Sequence, residues 1–158
     1  MVQQANAVES LSRVTVLCTD KTGTLTANRI VYKDVYPPEK ATREVEAVLA
    51  SFTASVTTHN QTSQAIDQRL KGVRRALYDE VPFSSALKWS AVAFDEGDLK
   101  GVYVLGALEM LVPYLDGIPP QITEKMVEYS ENGLRVLAFA YHPHPVKLTT
   151  GIHPDSPN

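Results

Sequence analysis

The chain has 158 residues, 44% of them hydrophobic and 21% charged, which fits a single globular core and excludes a disordered, collagenous or coiled-coil chain. Fifteen Lys and Arg against 18 Asp and Glu leave a net charge of −3 with no basic run, so the electrostatic footprint of a nucleic-acid binder is missing. A single Cys rules out an internal disulfide framework and suits a reducing compartment, and no stretch approaches the roughly 18–20 apolar residues of a membrane-spanning helix.

The opening MVQQANAVESLSR is polar where a secretory signal needs an apolar segment, and it reads as interior sequence of a longer protein. Ala5 to Leu11 is compatible with a short helix, and Val14 to Cys18 is a β-branched apolar run of strand length. The polar loop Thr19 to Thr26 follows, then a strand pattern from Ile30 to Tyr36 that Pro37-Pro38 stops. Residues 40–55 read as a helix, with Ala41, Val45, Val48, Leu49 and Phe52 on one face. After a loop from Thr57 to Gln61, Thr62 or Ser63 caps a second helix that runs to about Leu70, with Ala65, Ile66 and Leu70 buried.

The period then changes. Tyr78–Phe83, Trp89–Phe94 and Leu99–Leu105 are strand-like, and Asp95-Glu96-Gly97-Asp98 between the last two predicts a hairpin. Ala107–Leu115 and Pro120–Ser130 follow helical spacing, Asn132-Gly133 closes the second of them, and Leu134–Tyr141 reads as a buried strand. From His142 the sequence has four prolines and no periodicity, as expected of a tail or linker. Antiparallel strands interleaved with helices, without regular alternation, indicate an α+β fold from about Arg29 to Tyr141.

Asp20 is a carboxylate directly after an apolar strand, opening a loop with one glycine and three threonines. Ligands of open α/β sheets bind beyond the carboxyl ends of strands, and an Asp there can attack a phosphoryl group to form an acyl phosphate. Mg²⁺ would offset the repulsion between carboxylate and phosphate, Gly23 would let the backbone approach, and the Thr22 and Thr24 hydroxyls would meet the transferred group's oxygens. The same residues also make an ordinary polar loop with a capping Asp. The literal string separates the two readings: Asp20 to Thr26, DKTGTLT, is identical to the phosphorylation motif of P-type cation-transporting ATPases, a heptapeptide expected by chance at roughly 10⁻⁹ per position.

This resemblance implies that Asp20 accepts the γ-phosphate of ATP within a catalytic loop that includes Lys21, Thr22 and Thr24. Mg²⁺ would be held by the Asp20 carboxylate and the Thr22 carbonyl. It also implies ATP contacts downstream. Pro82-Phe83-Ser84-Ser85 with Lys88 resembles the family segment whose aromatic ring stacks on adenine, although a Phe ending a strand also suits a core. Val104 to Glu109 resembles the KGAPE segment, with Gly106 letting adenine lie against the backbone and Leu105 in place of the lysine. Asn132 to Ala138 resembles the strand whose arginine, here Arg135, reaches the phosphates; a snorkelling strand residue is the other reading. Asn60 to Ile66 stands where many members have GEATE, with Ser63 in place of an acidic contact.

The implied architecture is an antiparallel β-sheet flanked by helices, a nucleotide-binding domain over residues 29–142. It is preceded by one strand and loop of a truncated Rossmann-like phosphorylation domain over 1–28 and followed by a stub over 143–158. The family's DGxND and TGD segments, actuator domain and transmembrane helices are not in this sequence. The partners implied are therefore ATP and the remaining phosphorylation, actuator and transmembrane domains of a parent pump, with the fragment on the cytoplasmic side of a bacterial plasma membrane and making no direct membrane contact. The run AVESL-x-RV-x-VLC resembles bacterial members grouped with calcium or other cation transporters. Two other classes compete: a free-standing phosphatase of the same aspartate-nucleophile superfamily, and a non-enzymatic α+β domain that binds a partner protein. Cys18 fits inert strand packing, and His142, His144 and His153 fit a solvated tail.

Overall fold

The structure, a computed structural model, describes residues 27, 29–36 and 38–148. The chain divides into two compact units, Met1–Ile30 and Val31–Asn158, and the elements described here belong to the second. The expected helix at Ala5–Leu11, the strand Val14–Cys18 and the DKTGTLT loop lie outside the described residues.

Four strands form one antiparallel sheet in chain order: β1 (Asp79–Val81), β2 (Trp89–Phe94), β3 (Gly101–Gly106) and β4 (Ala138–His142). Helices α1 (Pro38–Ser55), α2 (Gln61–Arg69), α3 (Leu108–Leu111) and α4 (Pro120–Glu131) complete it. This is the α+β class with an antiparallel sheet and flanking helices that the pattern predicts. Every residue of β2 is buried, because the sheet is covered on both faces and no polar face is needed there.

Alternation assigns the two faces. Val92, Phe94, Tyr103 and Leu105 join Leu49, Phe52 and Val56 of α1 and Ile66 of α2 in one core. Val81, Trp89 and Ala91 form the other core with Leu111 of α3. On the first face Phe139 stacks on Tyr103 at 6.0 Å between centroids and meets Phe52 edge-on at 5.6 Å. The buried hydroxyl of Thr53 donates back into α1, to the carbonyls of Leu49 and Ala50, so burial leaves it with a partner.

Several boundaries differ from the sequence expectation. Ile30–Tyr36 pairs with no strand; Tyr32 and Val35 pack against the first core while Val31 stays exposed, and the Tyr32 hydroxyl donates to Glu46 at 2.8 Å. Alternation records one-sided burial, which an extended segment satisfies without a β partner. Burial, and then the Glu46 carboxylate, push the Tyr32 phenol above the usual tyrosine range. Helix α1 starts at Pro38, since proline fits a first helical turn. The single helix expected over Ala107–Leu115 is instead α3 followed by a 3-10 turn, Val112–Tyr114, because Pro113 has no N–H to continue it.

The expected strand Leu134–Tyr141 begins only at Ala138. At the end of α4, Gly133 takes a φ of +76° and donates to the Ser130 carbonyl, while Leu134 N–H reaches the Tyr129 carbonyl, both at 3.0 Å. This closure turns the chain sharply and leaves residues 134–137 irregular. The tail is tied down as far as Leu148, whose N–H donates to Asp79 at 2.7 Å and whose side chain packs on the second core.

Helix α2 is capped by Asn60, not by Thr62 or Ser63. The Asn60 Oδ1 accepts from the N–H groups of Thr62 and Ser63, both at 2.9 Å, and the Ser63 Oγ accepts from the Asn60 N–H at 2.9 Å, a reciprocal capping box. Asn60→Ala should lower stability by about 1 kcal/mol, seen as a lower urea midpoint at unchanged slope; an unchanged midpoint would show that the cap contributes nothing.

Candidate functional site

A cleft of about 420 Å³ opens on the α1 and α2 side of the sheet. Its apolar floor is Phe52 and Val56 from α1, Leu105 from β3 and Leu137 from the segment before β4. Ser63, Phe83, Lys88, Gly106 and Arg135, singled out in the sequence from four separate stretches of chain, all line it. Asp20, Lys21, Thr22 and Thr24 lie outside the described residues.

Phe83 follows β1 after Pro82 and remains 42% exposed, so it is a wall of the cleft and not a core residue. A large apolar ring left open beside a recess offers a flat face for a planar ligand. The chain then makes the turn Ser84–Lys88, in which the Lys88 N–H donates to the Ser84 carbonyl at 2.8 Å and the Leu87 N–H to the Ser84 hydroxyl at 3.1 Å. Lys88 has a φ of +57°, the only positive value at a non-glycine among the described residues. Such a conformation costs roughly 1–3 kcal/mol and persists only where the surroundings impose it. Here the Lys88 carbonyl is held by the Ala107 N–H at 3.0 Å.

Gly106 faces Trp89 across the β2–β3 pair. A Cβ at residue 106 would sit 2.3 Å from the Trp89 Cβ and 2.8 Å from the Lys88 carbonyl oxygen, closer than any real side chain tolerates. The glycine is therefore required by strand packing inside the protein, a reason independent of any ligand. Leu105, where the family resemblance expects lysine, is buried in the first core and forms part of the cleft floor. The floor is therefore apolar at the point where that expectation places a cation.

Arg135 is exposed on the irregular stretch before β4, not on a strand, and among the described residues no carboxylate pairs with it. Lys88 Nζ lies 3.9 Å from Glu109 Oε1 with both side chains more than half exposed, so solvent screens the pair and the ammonium can be redirected at small cost. Ser63 is buried, and its hydroxyl already accepts from the Asn60 N–H and donates to the Asn60 carbonyl at 3.0 Å. Its geometry is that of a capping residue at the cleft wall.

Asn60 and Glu80 are cleft residues that the sequence reading passed over. Asn60 followed three places later by Ser63 was a capping signature. Glu80 was signalled by alternation, since Val81 faces the second core and its neighbour must face the other side of the sheet. Both Glu80 carboxylate oxygens receive the Thr57 N–H, at 2.9 and 3.2 Å. Among the described residues no cluster of His, Cys, Asp and Glu could hold a metal ion, and no helix is long and apolar enough to cross a membrane.

The chain is 39% identical over 143 residues to a probable cation-transporting ATPase, exp7, of Streptococcus pneumoniae, a match that covers 89% of this chain and 17% of that protein. It is 35% identical over 144 residues to the calcium-transporting ATPase CtpE of Mycobacterium tuberculosis, with 89% and 17% covered, and 28% identical over 179 residues to calcium-transporting ATPase 1 of Lactococcus lactis, with 87% and 20% covered. The chain thus spans about a fifth or less of the length of these curated relatives. No family model matches it, and no solved structure does. The resemblance drawn from DKTGTLT is borne out by relatives that share most of this chain and are named as cation or calcium transporters.

Gly106→Ala should destabilise the fold by about 1–3 kcal/mol through overpacking against Trp89 and should shift Trp89 fluorescence in the native state; wild-type stability would contradict the close approach.

Proposed function

For a chain that belongs to the P-type cation-transporting ATPases, we propose that the unit from Val31 onward binds ATP and presents it to Asp20, in a parent pump that moves cations across a membrane. The observation that carries this reading is that Phe83, Lys88, Gly106 and Arg135, chosen for their resemblance to nucleotide contacts, line one cleft with an apolar floor and cations at its mouth. The base stacks on Phe83 over the floor, and the phosphates extend toward the Lys88 ammonium and the Arg135 guanidinium, a planar fork suited to phosphate oxygens. Stacking and two exposed cations give modest affinity, which suits a domain that must release ADP. Ser63 supports the wall through its cap.

In the transfer step an Asp20 carboxylate oxygen forms a bond to the γ-phosphorus, the bond from that phosphorus to the β,γ-bridging oxygen breaks, and ADP leaves with the electron pair. Thr22 and Thr24 hydroxyls donate to the transferred group's oxygens, and the Lys21 ammonium adds positive charge nearby. The Asp20 carboxylate and the Thr22 carbonyl are oxygen donors of the kind magnesium takes, and the bound ion would offset the charge of carboxylate and phosphate. The domain boundaries implied are 1–28 for the phosphorylation-domain piece and 29–142 for the nucleotide-binding domain. Both belong to the cytoplasmic side of a bacterial membrane, where the pump's actuator, membrane and remaining phosphorylation domains complete the machine.

Titrating ATP into the ¹⁵N-labelled chain should shift Phe83, Gly106 and Arg135 resonances, and no shift at millimolar ATP would remove the reading. Phe83→Ala and Arg135→Ala should each weaken ATP binding on the order of tenfold. In the full-length pump, Asp20→Asn should abolish labelling by γ-phosphate while leaving nucleotide binding intact; persistent labelling would exclude Asp20 as acceptor.

A further inference from the structure

The segment that leaves β4 crosses the sheet from edge to edge. Asp79 of β1, Ala93 of β2, Val102 of β3 and His142 of β4 stand abreast in one row, at the end of the sheet away from Trp89 and Gly106. The chain turns out of β4 at His142, whose Nδ1 lies 3.1 Å from the His144 carbonyl oxygen, and the Leu148 N–H reaches Asp79 at the opposite end of the same row. Three strand spacings of about 4.8 Å make the sheet roughly 14 Å wide, and the chain from His142 to Leu148 extends to about 20 Å, so residues 143–148 have little slack. Alternation puts their course on the face opposite the cleft. Asp79 shares its face with Val81, Ala93 with Ala91 and Val102 with Val104, all at the second core, and Leu148 packs there too. Ala93 and Val102 are buried, and Pro145 at mid-course is half-buried.

Asp79 fastens this segment to the edge strand. One carboxylate oxygen accepts the Glu80 N–H at 2.9 Å, and the other accepts the Leu148 N–H at 2.7 Å. β1 itself is only Asp79–Val81 and pairs with β2 alone, so it depends on what else holds it. Leu148 bonds it through Asp79 on one face, and Thr57 bonds it through Glu80 on the other. Phe83, the aromatic wall of the cleft, follows just after.

We infer that residues 143–148 are a releasable strap latched by Asp79, and that its release loosens β1 and the Phe83 wall, so that ligand in the cleft and docking of the strap favour each other. The strap has a docked state, with Leu148 on the second core, and an undocked one with its backbone in solvent. Pro143, His144, Val146 and Lys147 are exposed already, so undocking forfeits little beyond the latch, Pro145 and Leu148. If release weakens the cleft wall, ligand on that wall must in turn oppose release. The latch stands on the contacts above; its link to the cleft rests on the ATP reading.

Trypsin reads the strap directly. The bond it cuts after Lys147 is the peptide whose N–H Asp79 holds, and no Lys or Arg follows, so freeing of the peptide 148–158 reports undocking. Asp79→Asn keeps the size but presents an NH₂ where one of two N–H groups needs an acceptor. Leu148→Ala keeps the N–H and removes the apolar anchor, leaving the acceptor of the Glu80 N–H untouched. Each should speed cleavage at Lys147 on the order of tenfold over wild type, relative to the rate on the unfolded chain. Hydrogen exchange should quicken at the Leu148 and Glu80 amides and stay unchanged in β2 and β3. Saturating ATP should slow cleavage of the wild type at Lys147 several-fold. Cleavage at the wild-type rate in both variants would overturn the latch, as would loss of exchange protection throughout β2 and β3, the mark of global unfolding. ATP that binds and leaves cleavage at Lys147 unchanged would overturn the coupling. Failure of ATP to bind would remove the ATP reading and the link to the cleft, with the latch decided separately by the two variants.

Discussion

The cleft depends on one close approach, that of the last residue of β3 to the first of β2. Because residue 106 has no side chain, the two strands meet at Lys88 and Trp89 with no space between them. That contact sets the 83–88 turn beside the 106–109 segment, and the Ala107 N–H bond to the Lys88 carbonyl locks Lys88 in a left-handed conformation it would not choose alone. The aromatic wall, the ammonium and the acid that pairs with it are thus positioned by backbone, leaving their side chains free to engage a ligand. A recognition surface built this way keeps its layout while its charged tips move.

The rest of the unit holds that arrangement still. The two cores on opposite faces of the sheet leave β2 no exposed position, and among the described residues no buried side-chain polar atom lacks a partner. Ser55 accepts the Arg75 N–H at 2.9 Å, so the segment that follows α2 is fastened to α1 before the chain enters β1. Aromatic contacts from Phe52 through Phe139 to Tyr103 tie α1 to β4 and β3, and the cleft floor is continuous with this packing. Leu105 belongs to both, which explains how the position takes an apolar residue where the motif resemblance led to an expected lysine: it is filled as core.

Elements whose burial is symmetrical about a strand or helix axis were legible in the sequence. Trp89–Phe94 has the predicted ends because an acidic turn with glycine interrupts it and apolar residues fill it. Pro120 and Asn132-Gly133 bracket α4 for equally local reasons of backbone geometry. What failed was non-local. Ile30–Tyr36 shows the alternation of a strand but spends it on a core contact without β pairing, and the start of β4 is set by where Ala138 meets Gly106, which no feature of residues 134–137 announces. Of the site, aromatic and glycine positions were readable by motif, whereas Glu80 gains its place through an N–H 23 residues away in sequence, a relation that only folding creates.

The strand order bears on how the cleft comes into being. β1, β2 and β3 pair with their chain neighbours through short connections, so the 83–88 turn and the Gly106 contact close small loops, while β4 returns only after the intervening helices. Arg135 and the Leu137 part of the floor arrive with that last edge. Docking of β4 and completion of the recess are consequently one event, and any molecule that bridges the walls from both parts of the chain acts as a clasp, holding that edge of the sheet in place by mass action.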